Sequence, residues 1–201
     1  MMKHVYIVGD KGNMALRYKT ILRYFGVSFS GHDKLEQIED VERADGILIC
    51  TPTDNHIDDI TTFLHYRKPI LCEKPLSKDS KKLKEAISGW GSNAELVTMV
   101  DQYHQLVNDE NDGWTGYNYY KSGSDGLYWD CINIVGKAKE GIIINNQSPI
   151  WRCQINGEEL SIANMDQAYV NMIHSWLRHP ESNLEYALEA HEKVEQCIQS
   201  L

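Results

Sequence analysis

A chain of 201 residues with 42% hydrophobic and 24% charged residues can bury one large core or two small ones. Its net charge of −9, without a dense basic block, argues against a nucleic-acid or anionic-membrane partner. The apolar start, MMKHVYIVGD, is too short for a signal peptide or a membrane span. Five scattered cysteines without a Cys-x-x-Cys pair indicate reduced thiols, so we expect a cytoplasmic protein.

The first hundred residues alternate between strand and helix patterns. Apolar runs predict buried strands at 4–8, 27–31, 45–52, 69–73 and 94–100. Between them, helical patterns cover 13–26 and 77–88. A further helix, which Thr53 or Asp54 can cap, runs to about Tyr66. Residues 34–43 could form only a small helix. Five strands joined by helices predict a doubly wound parallel sheet, in which ligands bind outside the carboxyl ends of the strands.

The second half of the chain has a different pattern. Residues 108–126 are polar, aromatic and glycine-rich, which predicts a loop or linker, and Ser124 or Asp125 can cap a helix that runs to about Lys139. GIIINN and PIWRCQINGEELSI predict strands, the second folded at Asn156-Gly157, a pair typical of a type I′ hairpin. Helical periodicity returns at 165–179 and 184–198. We therefore predict two domains, a parallel α/β domain at 1–101 and a small α+β domain at 102–201.

A glycine turn, GDKGNMA, separates the first predicted strand from the first predicted helix. Gly9 and Gly12 allow the backbone to approach a pyrophosphate, whose charge the free N–H groups and the helix dipole stabilise. Asp33 follows at the end of the second strand, where an acid can bind the adenosine ribose hydroxyls and repel a 2′-phosphate. An ordinary βα turn and a solvated loop acid are the alternatives. Taken together, the two features predict NAD rather than NADP.

Two further segments, CTPTDNH (50–56) and CEKP (72–75), follow predicted strands of the same sheet. With the glycine turn they would line one crevice. Hydride transfer from a carbinol carbon leaves charge on its oxygen, and a lysine such as Lys74 can stabilise that charge or move the proton. The alternative is an exposed lysine after a strand.

These segments resemble the Gfo/Idh/MocA family of oxidoreductases, which includes relatives of glucose–fructose oxidoreductase and inositol dehydrogenase. The resemblance lies in GxxGNMAxRY, ADGILICTPTDNH and the Glu-Lys-Pro of CEKPLS. It implies a Rossmann domain, a lysine, Lys74, that reaches the nicotinamide ribose and the substrate hydroxyl, and often a cis bond before Pro75. The cofactor contacts that it implies are Gly9, Gly12, Asn13, Met14, Asp33, Thr51, Pro52, Thr53, His56, Glu73 and Lys74.

The chain departs from the family's pattern in its second half. Trp129 stands where the family usually places a catalytic histidine, so the usual proton relay is either absent or replaced by Asp130, Tyr120 or His104. We take Lys74 and Asp130 as candidate catalytic residues, and Lys74, Tyr120 and Asp130 as candidate substrate contacts. The second domain has room for only two or three strands. Its pocket would be small or completed by another subunit, so we expect a homo-oligomer.

Two other patterns carry no function. Tyr117-x-x-x-Lys121 has the spacing of a short-chain dehydrogenase pair but lies in a predicted loop, and His174, His179 and His191 lack metal-ligand spacing, so we predict no metal site. The sequence therefore predicts an NAD(H)-dependent oxidoreductase that acts on a small hydroxylated substrate such as a sugar or polyol. The alternatives are a catalytically degenerate dinucleotide-binding protein, acting as a sensor or assembly subunit, and a reductase of imines or enones.

Overall fold

The structure, a computed structural model, describes residues 1–33, 38–100, 165–188 and 191–192, together with the backbone of five strands between 116 and 160. The chain forms two compact units. One consists of Met1–Val100 and Val170–His191, and the other of Asp101–Tyr169 and Glu192–Leu201. The domain limits of 1–101 and 102–201 stay a prediction.

The first unit is built on a five-stranded parallel sheet. In chain order the strands are β1 (His4–Val8), β2 (Ser28–His32), β3 (Gly46–Ile49), β4 (Ile70–Cys72) and β5 (Val97–Met99), and they lie in the order β2-β1-β3-β4-β5. The helices between them are α1 (Asn13–Tyr24), α2 (His56–Phe63) and α3 (Ser80–Trp90), with short 3₁₀ helices at Val41–Arg43, Thr53–Asn55, Leu64–Tyr66 and Gly91–Leu96. The predicted α/β fold with a parallel sheet is confirmed.

Burial explains why the apolar runs form the centre of this sheet. The side chains of β3 and β4, among them Ile47, Ile49 and Leu71, are completely buried, as expected for parallel strands covered on both faces. The predicted cap of the second helix is wrong, because α2 has no side-chain cap. Asp54 instead forms an ion pair with Lys78 at 2.8 Å.

The last strand of this sheet is covered by the C-terminal part of the chain. The side-chain oxygen of Asn183 accepts a hydrogen bond from the N–H of Met99 at 2.7 Å, and its amide nitrogen donates one to the Met99 carbonyl at 3.0 Å. This pair of bonds imitates the pairing with a further strand. Thr98 also donates its hydroxyl to the carbonyl of Glu181 at 2.8 Å. These contacts satisfy backbone groups that the edge of a sheet would otherwise expose.

The described strands of the second unit pair antiparallel, unlike those of the first unit. The strands β6 (Gly116–Ser122) and β7 (Trp129–Val135) pair antiparallel, and β8 (Ile142–Asn145), β9 (Arg152–Ile155) and β10 (Glu158–Leu160) form an antiparallel sheet in the order β10-β9-β8. Ile155 lies opposite Glu158, so Asn156-Gly157 joins β9 to β10 and the predicted hairpin is confirmed. Helix α4 (Met165–Arg178), whose residues from Val170 onward belong to the first unit, is also confirmed, and residues 184–188 and 191–192 are helical.

Two predictions for this half of the chain are wrong. The predicted loop at 108–126 contains β6, and the predicted helix from Ser124 to Lys139 contains β7. Tyrosines in the first segment and β-branched residues such as Ile132 and Ile134 in the second favour strands, and this preference overrides the helix caps. The described residues of this half consequently contain five strands where two or three were expected.

Replacement of Gly31 with alanine tests the packing of β2 on β1. A Cβ atom at Gly31 would lie 2.3 Å from the carbonyl oxygen of Ile7, so the strands would have to move apart. We expect Gly31→Ala to lower the free energy of unfolding by about 1–3 kcal/mol in urea denaturation. Gly89→Ala is the control, since a Cβ on this α3 residue meets nothing within 4 Å. An equal, small effect of both substitutions would contradict the close approach.

Candidate functional site

Four chain segments with polar side chains leave the sheet at the same edge. Gly9 follows β1, Asp33 follows β2, Cys50 precedes Thr51 after β3, and Glu73 follows β4. These four strands are neighbours in a parallel sheet, so their carboxyl ends point the same way. Ligands of open α/β sheets bind in the crevice at this edge.

The glycine turn is pressed against both neighbouring strands. Gly9 has a φ of +76°, and a Cβ atom there would lie 3.0 Å from the backbone nitrogen of Thr51. The N–H groups of Gly9 and Asp10 both donate to the carbonyl of His32 at the end of β2, at 2.9 and 3.2 Å. Only glycine combines this backbone conformation with this close approach.

Helix α1 begins without a side chain that caps it. Its N-cap is Gly12, no acidic residue lies in the first turn, Asn13 is exposed and Met14 is half-buried. The first N–H groups of a helix have no partner within the helix, and together with the helix dipole they favour an anion. The turn therefore fits a pyrophosphate group.

The carboxylate of Asp10, in the glycine turn, forms an ion pair with Lys19 of helix α1. The ammonium of Lys19 binds the carboxylate of Asp10 at 2.9 Å and its carbonyl oxygen at 2.7 Å. The second carboxylate oxygen of Asp10 is buried and, within the described part of the chain, accepts no hydrogen bond. Lys19 thus offsets a negative charge that would repel an anion at this turn.

The turn after β4 is held to helix α1 by a buried carboxylate. The side chain of Glu73 is only 7% exposed, and it accepts the hydroxyl of Tyr18, a fully buried residue of α1. The other oxygen of Glu73 accepts the N–H of Lys74 at 3.1 Å, and the Glu73 N–H donates to the carbonyl of Ile49 at 2.9 Å. Lys74 itself is half-buried. The peptide bond between Lys74 and Pro75 is cis, as expected.

The loop after β3 is fixed by His56 and Asp59, both on α2. The imidazole of His56 is 1% exposed, with Nδ1 2.8 Å from the carbonyl oxygen of Pro75 and Nε2 2.7 Å from that of Thr51. The hydroxyl of Thr51 donates to the Asp59 carboxylate. Burial raises the pKa of Asp59 above its ordinary value, and the Thr51 hydroxyl partly offsets this shift. Pro52 is exposed and Thr53 half-buried in the same loop.

Two thiols lie at the carboxyl ends of neighbouring strands, Cys50 just after β3 and Cys72 as the last residue of β4. Burial, and then the negative charge of Glu73, raise the pKa of both the Cys50 and the Cys72 thiol well above the ordinary value. Both groups are therefore protonated at neutral pH and pack as small apolar side chains.

Two further histidines of this unit, His174 and His191, have structural partners. His191 donates from Nδ1 to the carbonyl of Ala187 at 2.5 Å and accepts the N–H of Ser77 at 3.4 Å, while His174 stacks on Phe25 with ring centroids 4.9 Å apart. The residues that the structure describes contain no cluster of three or more His, Cys, Asp or Glu side chains arranged for a metal ion. Among the same residues, no helix has the length and apolar character needed to cross a bilayer.

Two candidate residues lie in the second unit, where the structure describes only the backbone. Tyr120 is in β6 opposite Cys131, and Asp130 is in β7 opposite Lys121. Their side chains and His104 lie outside the described residues, so their roles stay predictions.

Sequence reasoning missed two residues that hold the site together. Tyr18 lies in the predicted helix at 13–26, at a position of its apolar side. A buried tyrosine needs a partner for its hydroxyl, so the sequence contained a signal for this role. Asp59 had no such signal, because its contact with Thr51 depends on where α2 packs.

A glycine turn after β1 and an acid after β2 define the class of Rossmann-fold dinucleotide-binding domains. A comparison with family models gives the particular family. Residues 7–101 match the model of the Gfo/Idh/MocA oxidoreductase family, NAD-binding Rossmann fold, so this segment is similar to the nucleotide-binding domain of that family. The resemblance predicted from the sequence is confirmed.

Individual relatives agree with this assignment. The chain is similar to inositol 2-dehydrogenase of Rhizobium meliloti, with 38% identity over 53 residues, a match that spans 26% of this chain and 16% of that protein. It also has the fold of a Gfo/Idh/MocA oxidoreductase from Vibrio cholerae, with a TM-score of 0.64, 12% identity and 98% of each chain covered. For a myo-inositol dehydrogenase from Corynebacterium glutamicum, the TM-score is 0.60 at 14% identity, over 100% of this chain and 96% of that one.

Replacement of Tyr18 with phenylalanine tests the link between α1 and the turn after β4. The substitution keeps the ring but leaves the buried Glu73 carboxylate without one donor, so we expect the free energy of unfolding to fall by about 1–3 kcal/mol. Tyr24→Phe, on the same helix but 77% exposed, is the matched control and should change little. Urea denaturation of both variants measures the difference, and equal stabilities would remove the proposed link.

Proposed function

We propose that this chain is an NAD(H)-dependent oxidoreductase that transfers a hydride to or from a small hydroxylated substrate, such as a sugar, a sugar derivative or a polyol. The observation that carries the proposal is the attachment of the Glu73-Lys74-Pro75 turn to helix α1 through Tyr18. This contact joins the turn that bears the lysine to the helix whose start fits a pyrophosphate. The inositol dehydrogenase relatives support a polyol as the first substrate class to test.

Residues of the glycine turn and of the neighbouring loops are the proposed cofactor contacts. Gly9, Gly12, Asn13 and Met14 would surround the pyrophosphate, and Asp33 would bind the ribose hydroxyls of NAD and repel the 2′-phosphate of NADP. The loop after β3 would border the nicotinamide half, with His56 acting from behind it. The remaining proposed contacts are Thr51, Pro52, Thr53, Glu73 and Lys74.

Lys74 is the proposed proton-transfer residue. When bound, the cofactor supplies a ring carbon that accepts or gives up a hydride. During oxidation the carbinol C–H bond breaks, its electron pair leaves with the hydride, and the hydroxyl proton passes to the Lys74 amine as the C=O bond forms. During reduction the Lys74 ammonium returns that proton to the developing alkoxide. The Glu73 carboxylate binds the Lys74 N–H and thereby holds the backbone that presents this amine.

We assign Asp130 as an additional proton acceptor in place of the histidine that Trp129 replaces, and Tyr120 as a substrate contact. We also propose that the chain forms a homo-oligomer in the cytoplasm. The described strands β6–β10 form two small antiparallel sheets, and a second copy could cover the edges of these sheets.

Replacement of Asp33 tests the preference for NAD. We expect the wild-type chain to bind NAD more tightly than NADP, because a carboxylate at the ribose repels a 2′-phosphate by an amount on the order of tenfold in affinity. Asp33→Ser should reduce this ratio, whereas Asp58→Ser, an exposed acid on α2, should leave it unchanged. Titration calorimetry with both nucleotides measures the ratio. Tighter binding of NADP by the wild-type chain would contradict the assignment.

Replacement of Lys74 tests the reaction. Lys74→Ala should still bind NAD through the other proposed contacts, and it should lower turnover of a polyol substrate by about 10²–10⁴-fold, the usual contribution of a positioned proton-transfer group. Lys74→Arg keeps the charge but cannot release a proton, so it should be equally impaired. Lys84→Ala, an exposed lysine on α3, is the control. The measurement is NADH absorbance against a panel of sugars and polyols that includes myo-inositol.

Two outcomes would contradict this mechanism. Unchanged turnover in Lys74→Ala would remove the lysine from the reaction. NAD binding without turnover of any hydroxylated substrate would favour the other reading of the sequence, a dinucleotide-binding protein that acts as a sensor or an assembly subunit.

A further inference from the structure

The His56 side chain joins the two loops that border the proposed site. Its imidazole is 1% exposed, and both ring nitrogens lie within hydrogen-bonding distance of backbone carbonyl oxygens. Nε2 is 2.7 Å from the oxygen of Thr51, after β3, and Nδ1 is 2.8 Å from the oxygen of Pro75, after β4. A histidine in this position is buried behind the loops rather than turned toward the crevice.

The two partners of His56 are of the same chemical kind, and this restricts its protonation. A carbonyl oxygen only accepts hydrogen bonds, so each ring nitrogen must donate to form a bond. A neutral imidazole carries one N–H group and can bind one of the two carbonyls. Its other nitrogen then directs a lone pair at the second oxygen, which is left without its donor. Only the doubly protonated ring binds both loops.

Charged groups on several elements act on this ring. On its own helix, Asp59 lies one turn away and interacts electrostatically with both His56 and His32 of β2. The position of His56 in the first turn of α2 disfavours a cation through the helix dipole, and the acids Asp58 and Asp59 of that turn oppose this effect. Next to the Pro75 carbonyl, the turn after β4 carries Glu73 and Lys74, and the thiol of Cys50 precedes Thr51.

We propose that His56 is a positioning residue whose doubly protonated ring holds the loops after β3 and β4 at a fixed distance, so that the nucleotide site is fully formed only while both ring nitrogens carry a proton. The ring acts through Thr51 and Pro75 and does not itself touch the nucleotide. The effect on nucleotide affinity rests on the proposed function, while the link between the loops does not.

The protonation of the ring is measured in the nucleotide-free protein. Nitrogen-15 NMR of the histidine side chains, with the His56 signals assigned by their loss in His56→Gln, reports the proton on each nitrogen. We expect both nitrogens of His56 to be protonated at pH 6, and the melting temperature of the wild-type protein to fall relative to His56→Gln as rising pH removes one proton. A ring that carries a single proton at every pH from about 5.5 to 8.5, the range in which histidine side chains ordinarily titrate, would overturn the proposal.

The second arm measures NAD affinity as a function of pH. The wild-type affinity should fall by on the order of tenfold as the ring loses a proton, the value expected for one hydrogen bond to a charged group. His56→Gln should bind weakly without this pH dependence, and the control His65→Gln, an exposed histidine after α2, should follow the wild type. A pH profile shared by the wild type and His56→Gln would overturn the positioning role.

The two arms separate failure of this inference from failure of the proposed function. If no form of the protein binds NAD or NADP, the oxidoreductase assignment fails, and the NMR and melting data still decide whether the ring joins the loops. If His56→Gln does not fold, the His56 ring signals are assigned in the wild-type protein by NMR correlations to the His56 backbone, and the NMR titration and the affinity profile of the wild type decide the question together, because both must change over the same pH range.

Discussion

The close approach of β1 and β3 at their carboxyl ends is the constraint on which the site depends. At Gly9 the chain turns with a positive φ, and the missing Cβ leaves room for the backbone of Thr51. A larger residue would push the two strand ends apart, and the start of α1 would move with them. The turn after β4 could then no longer meet α1 through the Tyr18 contact with Glu73. One glycine thus sets the distances among three loops.

The parallel sheet can be predicted from the sequence because each of its strands is identified by neighbouring residues alone. β3 and β4 are buried on both faces, so they appear as unbroken apolar runs, and the glycine turn and Glu-Lys-Pro segment follow such runs directly. The contacts between the loops are a different matter. Thr51 with Asp59 and Tyr18 with Glu73 join residues that are 8 and 55 positions apart, and they exist only after the helices pack on the sheet. Periodicity indicates that these side chains face inward but not which partner each one meets.

The errors in the second half have a physical origin too. Ser124 and Asp125 are good helix caps, but a cap contributes only about 1 kcal/mol and acts only if a helix follows it. The segment from Trp129 to Val135 is rich in β-branched residues and pairs with the tyrosine-rich strand β6 along seven positions. Pairing with a partner strand outweighs a local cap, and a single sequence does not reveal the partner. The hairpin at Asn156-Gly157 was predictable because its two strands are adjacent in sequence.

The polar contacts of the first unit determine geometry more than stability. A buried hydrogen bond adds little net free energy, but its loss leaves a desolvated group unpaired, so alternative loop arrangements are costly. Tyr18 and His56 each use such a contact to attach one loop to another element, and the apolar side chains of β3 and β4 behind them supply most of the stabilisation. Substitutions in that apolar layer should therefore destabilise the fold while the loops keep their relative positions. Substitutions of the buried polar groups should alter those positions in a protein that still folds. The fold is shared with structures of only 12–15% identity, as expected if the apolar pattern of the strands, more than the individual polar contacts, determines the sheet.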